Sequence, residues 1–151
     1  MIQNERQYEV TKTQLAKMRA SLNEARAKLA ARSDVPPVVR QGHLNGILAL
    51  IGDMEAELAE YENLRAGKVP SLSLGSLDEL PSTLVRARIA RGWTHKELAQ
   101  ALGTTEQQVQ KDENGGYARA NLERLQRVAS ALGIEIAGRV RFGRAARQRR
   151  I

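Results

Sequence analysis

Two apolar seams with alternating spacings of three and four run through the first 65 residues of the chain. The first seam comprises Tyr8, Thr11, Leu15, Met18, Leu22, Ala25 and Leu29, with charged and polar residues between them. The second comprises Leu44, Ile47, Ile51, Met54, Leu58 and Tyr61. These spacings place each set on one face of a helix in a heptad pattern. The sequence therefore predicts two amphipathic helices, the first capped by Asn4 and roughly 40 Å long.

The break between the seams predicts a helical hairpin over residues 1–67. Pro36 and Pro37 end the first helix and set the start of the second, which we expect to close near Gly67. Such a coiled-coil hairpin buries little area alone, so we expect it to pack on a second copy or on another protein. The alternative is a two-helix cap on a second domain. An acidic run, Asp53, Glu55, Glu57, Glu60 and Glu62, is either a solvated face or a docking surface for a basic partner.

Residues 68–79 are rich in glycine, serine and proline, which predicts a linker and a domain boundary. Leu72, Leu74 and Leu77 alternate within it, so part of the linker is expected to lie extended against a neighbour. After it, residues 80–133 predict a helical domain. Apolar residues recur at helical spacing in the first helix of this domain and in its last, which Gly133 ends.

The middle of residues 80–133 predicts two short capped helices joined by a tight turn at Gly103. Thr94 followed by Glu97, and Thr105 followed by Gln108, both fit the capping-box pattern. Val109 is the one clear apolar residue of the later helix, and a helix so polar lies either in solvent or against a polar partner. We interpret the pair as a helix-turn-helix whose second helix reads a DNA groove. The alternative is a helical module without a DNA role.

Charge is distributed unevenly between the two halves of the chain. Residues 1–67 contain nine basic and nine acidic residues, whereas residues 68–151 contain fifteen and eight. The last thirteen residues hold six arginines and no acid. This asymmetry favours a polyanionic partner for the C-terminal half, with a solubilising tail as the alternative.

No cysteine is present, and neither a signal-peptide pattern nor a long apolar run is found. Disulfides and thiol-based sites are excluded, and we expect a soluble cytoplasmic protein that makes no contact with a membrane.

The central stretch resembles the Xre or Cro/C1-type helix-turn-helix family, over residues 84–133. The matching residues are 84–88, 92–99, Leu102, Gly103, Val109, 113–115 and 122–133. The resemblance implies a lambda-repressor-like helical fold and a bacterial, nucleoid-associated transcription regulator that binds double-stranded operator DNA. It also implies a buried salt bridge between Arg88 and Glu113. Antitoxin-type (HigA-type) members are the subgroup that the chain resembles.

Carried over by position, the resemblance places Glu106, Gln107 and Lys111 against base edges. His95 stands where the family usually has a glutamine that touches phosphate or supports a base contact, and Asn114 would touch the DNA backbone. A glutamate at position 106 would favour a cytosine amino group. The full set of expected DNA contacts, including arginines of the tail, is His95, Lys96, Thr105, Glu106, Gln107, Gln108, Gln110, Lys111, Asn114, Tyr117, Arg139, Arg141, Arg144 and Arg147. For Tyr117, packing is the alternative to a phosphate contact.

Residues 134–151 predict a short β-strand followed by the basic tail. Ile134, Ile136, Val140 and Phe142 alternate, and a single strand must pair with another. Pairing with its own copy across a two-fold axis or docking on its own domain would both satisfy this requirement. The arginines after it would bind phosphates or enter the minor groove.

No catalytic constellation is visible, so we expect neither enzymatic activity nor a metal or other cofactor. His43 and His95, the only histidines, lie in different predicted domains. Three hypotheses follow: an autoregulating antitoxin whose hairpin binds a toxin or dimerises, a phage or plasmid repressor without a toxin, and a coiled-coil protein whose tail binds nucleic acid without sequence preference. The first two share a homodimer or higher homo-oligomer on a palindromic operator.

Overall fold

The computed structural model describes residues 1–138, which are mainly helical. The six α-helices of this part are α1 (Glu5–Ala30), α2 (Pro37–Arg65), α3 (Leu80–Ala90), α4 (His95–Leu102), α5 (Glu106–Asn114) and α6 (Leu122–Ala131). A short 3₁₀ helix, Leu77–Glu79, leads directly into α3. Within residues 1–138, no helix has both the length and the apolar character needed to cross a bilayer.

Helices α1 and α2 lie side by side and antiparallel. The start of α1 meets the end of α2, where the Tyr8 and Tyr61 rings stack with centroids 5.4 Å apart, and Arg19 reaches Glu55 further along at 2.6 Å. Both predicted seams point inward, and their most buried members are Leu15, Leu22, Ile51, Leu58 and Tyr61. The two helices thus match the predicted seams, whereas the coiled-coil packing stays a prediction.

Most residues of the acidic run near the end of α2 hydrogen-bond or pair with other residues of the same chain. Glu62 accepts a hydrogen bond from the Tyr8 hydroxyl at 2.7 Å, and Glu60 pairs with Arg86 of α3 at 2.7 Å. Exposed ion pairs contribute only about 0–1 kcal/mol each. Their value here is positional, because the Glu60–Arg86 pair joins α2 to α3.

The predicted linker packs onto the body of the protein. Val69, Leu72 and Leu74 are half-buried against a hydrophobic core that continues from the hairpin through α3 to α6. Leu72 and Leu74 therefore give this part of the linker an apolar side, as the sequence pattern suggested, whereas Leu77 is 74% exposed. The domain boundary predicted at this segment does not separate two hydrophobic cores among the described residues.

Helices α3 to α6 close around a small aliphatic centre. Leu84, Leu98, Val109 and Val128, one from each helix, are at most 1% exposed. Thr94 and Glu97 form the predicted capping box at the start of α4, and Gly103 ends that helix at φ +64°. At α5 the Thr105 hydroxyl accepts from the Gln108 N–H, but the Gln108 side chain donates to Asp112 instead of reaching back. The second capping box is therefore only half formed.

The described part of the predicted C-terminal strand, residues 134–138, forms no β-bridge within the described chain. A strand needs a neighbouring strand for its backbone hydrogen bonds, and this segment has none within residues 1–138. It leaves α6 at Gly133, whose carbonyl accepts a hydrogen bond from Arg91 at 2.7 Å. The remaining part of the strand prediction, and the basic tail, lie outside the described residues.

Candidate nucleic-acid interface

The outward face of α5 is built almost entirely from polar side chains. Gln107, Lys111 and Asn114 follow one another at spacings of four and three, so they share one side of the helix, and all three are exposed. Val109 and Glu113 occupy the opposite side and are buried. The short helix is thus fixed from within and presents a polar ridge to the outside.

Hydrogen bonds engage the two flanks of α5 and leave the ridge open. On one flank Asp112 accepts from Gln108 at 2.6 Å and from Arg124 of α6 at 3.0 Å. On the other flank Gln110 donates to Glu106 at 3.1 Å. Among the described residues, the side chains of Gln107 and Lys111 have no such partner, so their donors and acceptors are available to a ligand.

The ion pair between Arg88 and Glu113, implied by the family resemblance, is present. Arg88 Nε lies 2.6 Å from Glu113 Oε1, and Arg88 Nη2 lies 2.6 Å from Oε2, which is a bidentate arrangement. Both residues are 2% exposed. Arg88 also donates through Nη1 to the Trp93 carbonyl at 2.7 Å. The pair therefore fixes α5 against α3 and the turn before α4.

His95 lies inside this cluster and not at the surface, which corrects its expected place beside phosphate. Its Nε2 is 2.9 Å from Glu113 Oε2 and 3.1 Å from Arg88 Nη2. The two hydrogens of Arg88 Nη2 are directed to Glu113 and to the carbonyl of Gln3. We therefore assign the Nε2 proton to His95, which donates to Glu113. An imidazole is short enough to sit beside the carboxylate, so the side chain turns inward.

The hydrogen bonds on Glu113 determine its protonation. Burial alone would raise the pKa of this carboxyl group, but hydrogen bonds from His95 and Arg88 and the positive charge of Arg88 outweigh burial and hold the pKa below its usual value. Glu113 is therefore ionised at neutral pH. The position of α5 depends on this charge.

The N-terminal segment contacts the helix-turn-helix unit, a contact that sequence reasoning missed. The Gln3 carbonyl accepts from Arg88 at 2.9 Å across 85 residues of sequence, and Ile2 is only 3% exposed. Beside this contact a groove of about 530 Å³ lies between the start of α1, the turn before α4 and one flank of α5. An apolar Ile2 just before the Asn4 cap was the only local signal of docking.

Tyr117 is buried as well, so the structure favours packing over the expected phosphate contact. It is 5% exposed and adopts φ +54°, a left-handed conformation that is uncommon for a tyrosine. Its N–H donates to the Asp112 carbonyl at 2.7 Å, which closes the end of α5. Burial also raises the pKa of its phenol. Its aromatic ring belongs to the hydrophobic core, which leaves little of it exposed for a phosphate contact.

The other expected contacts are distributed around α5. Lys96 is exposed on the first turn of α4, and Thr105 uses its hydroxyl to cap α5. Arg119, in the loop after α5, is exposed and has no ion-pair partner within residues 1–138; sequence reasoning overlooked it. The four tail arginines of the expected set, Arg139, Arg141, Arg144 and Arg147, lie outside the described residues. Within residues 1–138, no three acidic or histidine side chains are grouped to hold a metal ion.

Comparison with known protein families agrees with this geometry. Residues 84–138 match the family model HTH_3, described as Helix-turn-helix. No curated protein and no solved structure gives a significant match to the chain. Residues 84–138 are thus a helix-turn-helix domain of the Xre/Cro-C1 type, which suggests a DNA-binding transcription regulator.

Proposed function

We propose that this protein is a sequence-specific transcriptional repressor that binds a palindromic operator as a homodimer. The observation that carries the proposal is the polar ridge of α5, held in place by the buried Arg88–Glu113 pair while Gln107 and Lys111 stay available. A reading helix requires both properties.

The chemistry of the ridge suits base recognition in the major groove. Glutamine pairs in a bidentate manner with adenine, and lysine donates to the acceptors of guanine. Each such pair contributes about 1–3 kcal/mol of discrimination against the wrong base. Glu106 begins the helix and accepts a hydrogen bond from Gln110, which keeps its carboxylate to one flank. Direct reading by Gln107 and Lys111 is therefore the centre of the proposal.

Dimerisation would match a palindromic operator, and it is supported by the hairpin. Two copies related by a two-fold axis would place two α5 helices in successive major grooves about 34 Å apart. The α2 helix exposes four aliphatic side chains, at Val38, Val39, Leu48 and Leu50, each at least 40% accessible. Contact between two hairpins would remove such surface from water, which favours association.

The test is binding to the DNA upstream of the protein's own gene, compared with a scrambled duplex at one salt concentration. Lys111→Ala should cost about 1–3 kcal/mol at one base pair and relax specificity there. Gln107→Ala should do the same at a neighbouring base pair. Gln126→Ala is the matched control, because Gln126 is also exposed but lies on α6.

Two chains per site, determined from the mass of the complex, and preference for the upstream duplex are expected. Equal binding to both duplexes would contradict sequence reading. If Lys111→Ala weakened every sequence equally, lysine would serve as a phosphate contact and not as a base reader.

The role of autoregulating antitoxin is the finer proposal, with a repressor that has no toxin partner as the alternative. It is supported by the hairpin, whose exposed aliphatic residues on α2 would in that case contact the toxin instead of a second hairpin. Coexpression with the product of the adjacent gene tests it. A stable complex that is lost on Leu50→Asp is expected for an antitoxin; a dimer that ignores the neighbouring product indicates the simple repressor.

A further inference from the structure

The start of α1 is an unexpected neighbour of the reading helix. Arg6 lines the same groove as Glu106, Gln110 and Asn114, which follow one another at spacings of four along one flank of α5. The contact from Arg88 to the Gln3 carbonyl and the burial of Ile2 hold this turn in place. The N-terminal hairpin therefore contributes one wall beside the proposed DNA-binding surface.

Arg6 differs from most cations of the hairpin because it has no ion-pair partner among residues 1–138. Arg19, Arg32 and Arg65 pair with Glu55, Asp34 and Glu5, respectively. Arg6 is exposed, although acidic residues are frequent on both helices. A guanidinium left without a carboxylate in a groove beside α5 is available to bind an anion.

The geometry of a groove-bound helix identifies that anion. A recognition helix fills a major groove about 12 Å wide, so a phosphate backbone runs along each of its flanks. With Gln107 and Lys111 directed at the bases, the neighbouring flank that contains Glu106 and Gln110, with Asn114 at its border, would face one of these backbones. Arg6 lines the groove beside the same flank.

We propose that Arg6 binds a backbone phosphate of the operator and thereby extends the DNA footprint from the helix-turn-helix domain onto the N-terminal hairpin. The inference rests on the proposed function. Arginine forms bidentate hydrogen bonds with phosphate oxygens, and a contact of this kind positions the protein without reading sequence. It would also place a positive charge beside Glu106, whose carboxylate otherwise repels the backbone.

The experiment measures operator affinity of the full chain over a range of salt concentrations for wild type, Arg6→Ala, Arg6→Lys and Arg26→Ala. Each neutralised phosphate contributes about −0.9 to the slope of log affinity against log salt. Arg6→Ala should therefore flatten the slope by about one unit per chain and weaken binding about 5–10-fold at 0.1 M salt. The loss should be equal on operator and scrambled DNA, and Arg6→Lys should restore the slope.

Arg26→Ala is the matched control. Arg26 is exposed on the same helix, has no ion-pair partner among the described residues, and lies about 30 Å further along α1. It should retain the wild-type slope and affinity. Circular dichroism of both variants should overlay with wild type, because both side chains are exposed on a helix surface.

Three outcomes would overturn the inference. The first is an unchanged slope for Arg6→Ala on an operator that the wild type still distinguishes, which leaves the proposed function intact. The second is loss of the Arg6→Ala effect in a Glu106→Gln background, which would mean that Arg6 acts only by neutralising Glu106. The third is a wild type that fails to distinguish operator from scrambled DNA, which rejects the proposed function itself.

Discussion

At the level of single residues, Arg88 joins more parts of the molecule than any other side chain described above. It lies on α3 and hydrogen-bonds to Glu113 of α5, to the Trp93 carbonyl and to Gln3 at the start of the chain. Truncating one partner of a buried ion pair leaves an uncompensated charge and costs about 3–5 kcal/mol. The position of α5 therefore depends strongly on the contact between Arg88 and Glu113.

Glu113→Gln should lower the free energy of unfolding by about 3–5 kcal/mol at pH 7, because Arg88 loses its counter-charge. The pKa of Glu113 is held below 4.5 in the folded state, so its contribution is complete above that pH and is lost as the pH falls through the folded-state pKa. The difference between wild type and variant should therefore shrink as the pH is lowered below about 4.5. Urea unfolding from pH 7 to pH 3 measures it.

Glu24→Gln provides the control for this titration. Glu24 is exposed and meets Lys28 at 3.7 Å, a surface pair of little energetic value. It should change the free energy of unfolding by less than about 0.5 kcal/mol at every pH. A Glu113→Gln difference that stayed constant down to pH 3 would contradict the assignment of its effect to the ionised carboxylate.

At the level of elements, two glycines have opposite effects on the stability of their helices. Gly103 ends α4 at φ +64°, and a Cβ there would meet nothing within 4 Å. Gly52 lies within α2, and its Cβ would also meet open space. Only the backbone conformation distinguishes them, because L-residues disfavour the left-handed region and glycine weakens a helix interior.

Gly103→Ala should destabilise the protein by about 1–2 kcal/mol, since alanine must adopt the left-handed conformation. Gly52→Ala should stabilise it by up to about 1 kcal/mol, since alanine loses less backbone entropy in a helix. Thermal and chemical unfolding of the two variants would test the sign. A Gly103→Ala variant as stable as wild type would show that the turn after α4 does not require its glycine conformation.

The helices were predictable from sequence because their determinants are local. The seams, the cap by Asn4, the box formed by Thr94 and Glu97, and the turn at Gly103 each depend on residues within a few positions of one another. The Gln3–Arg88 contact spans 85 positions and left no periodic signal. The inward turn of His95 follows from that distant cluster and from Glu113, so it appears only in three dimensions.

Some residues of the candidate site could likewise be predicted from the sequence, and others could not. Gln107 and Lys111 were named because the family resemblance places them against base edges, and both are exposed in the structure. Asp112 was not explained by the sequence pattern, and the structure pairs it with Arg124 of α6 at 3.0 Å. Arg6 could not be foreseen, because its role depends on where the hairpin docks.

At the level of the whole molecule, the described part carries almost no net charge. Residues 1–67 are balanced, and residues 68–138 contain nine basic and eight acidic side chains. The six arginines of residues 139–151 therefore supply most of the net positive charge of the chain. Long-range attraction to DNA should depend chiefly on them, whereas sequence preference should depend on α5.

Deleting residues 143–151 removes four of these arginines, so it should weaken binding to operator and scrambled DNA alike. The salt slope should flatten by up to about four units per chain if all four neutralise phosphates. Replacing the four with lysine should preserve the slope, and replacing them with alanine should reproduce the deletion. Because α5 stays intact, the ratio of operator to scrambled affinity should not change; a changed ratio with a constant slope would assign the tail to base recognition instead of electrostatic attraction.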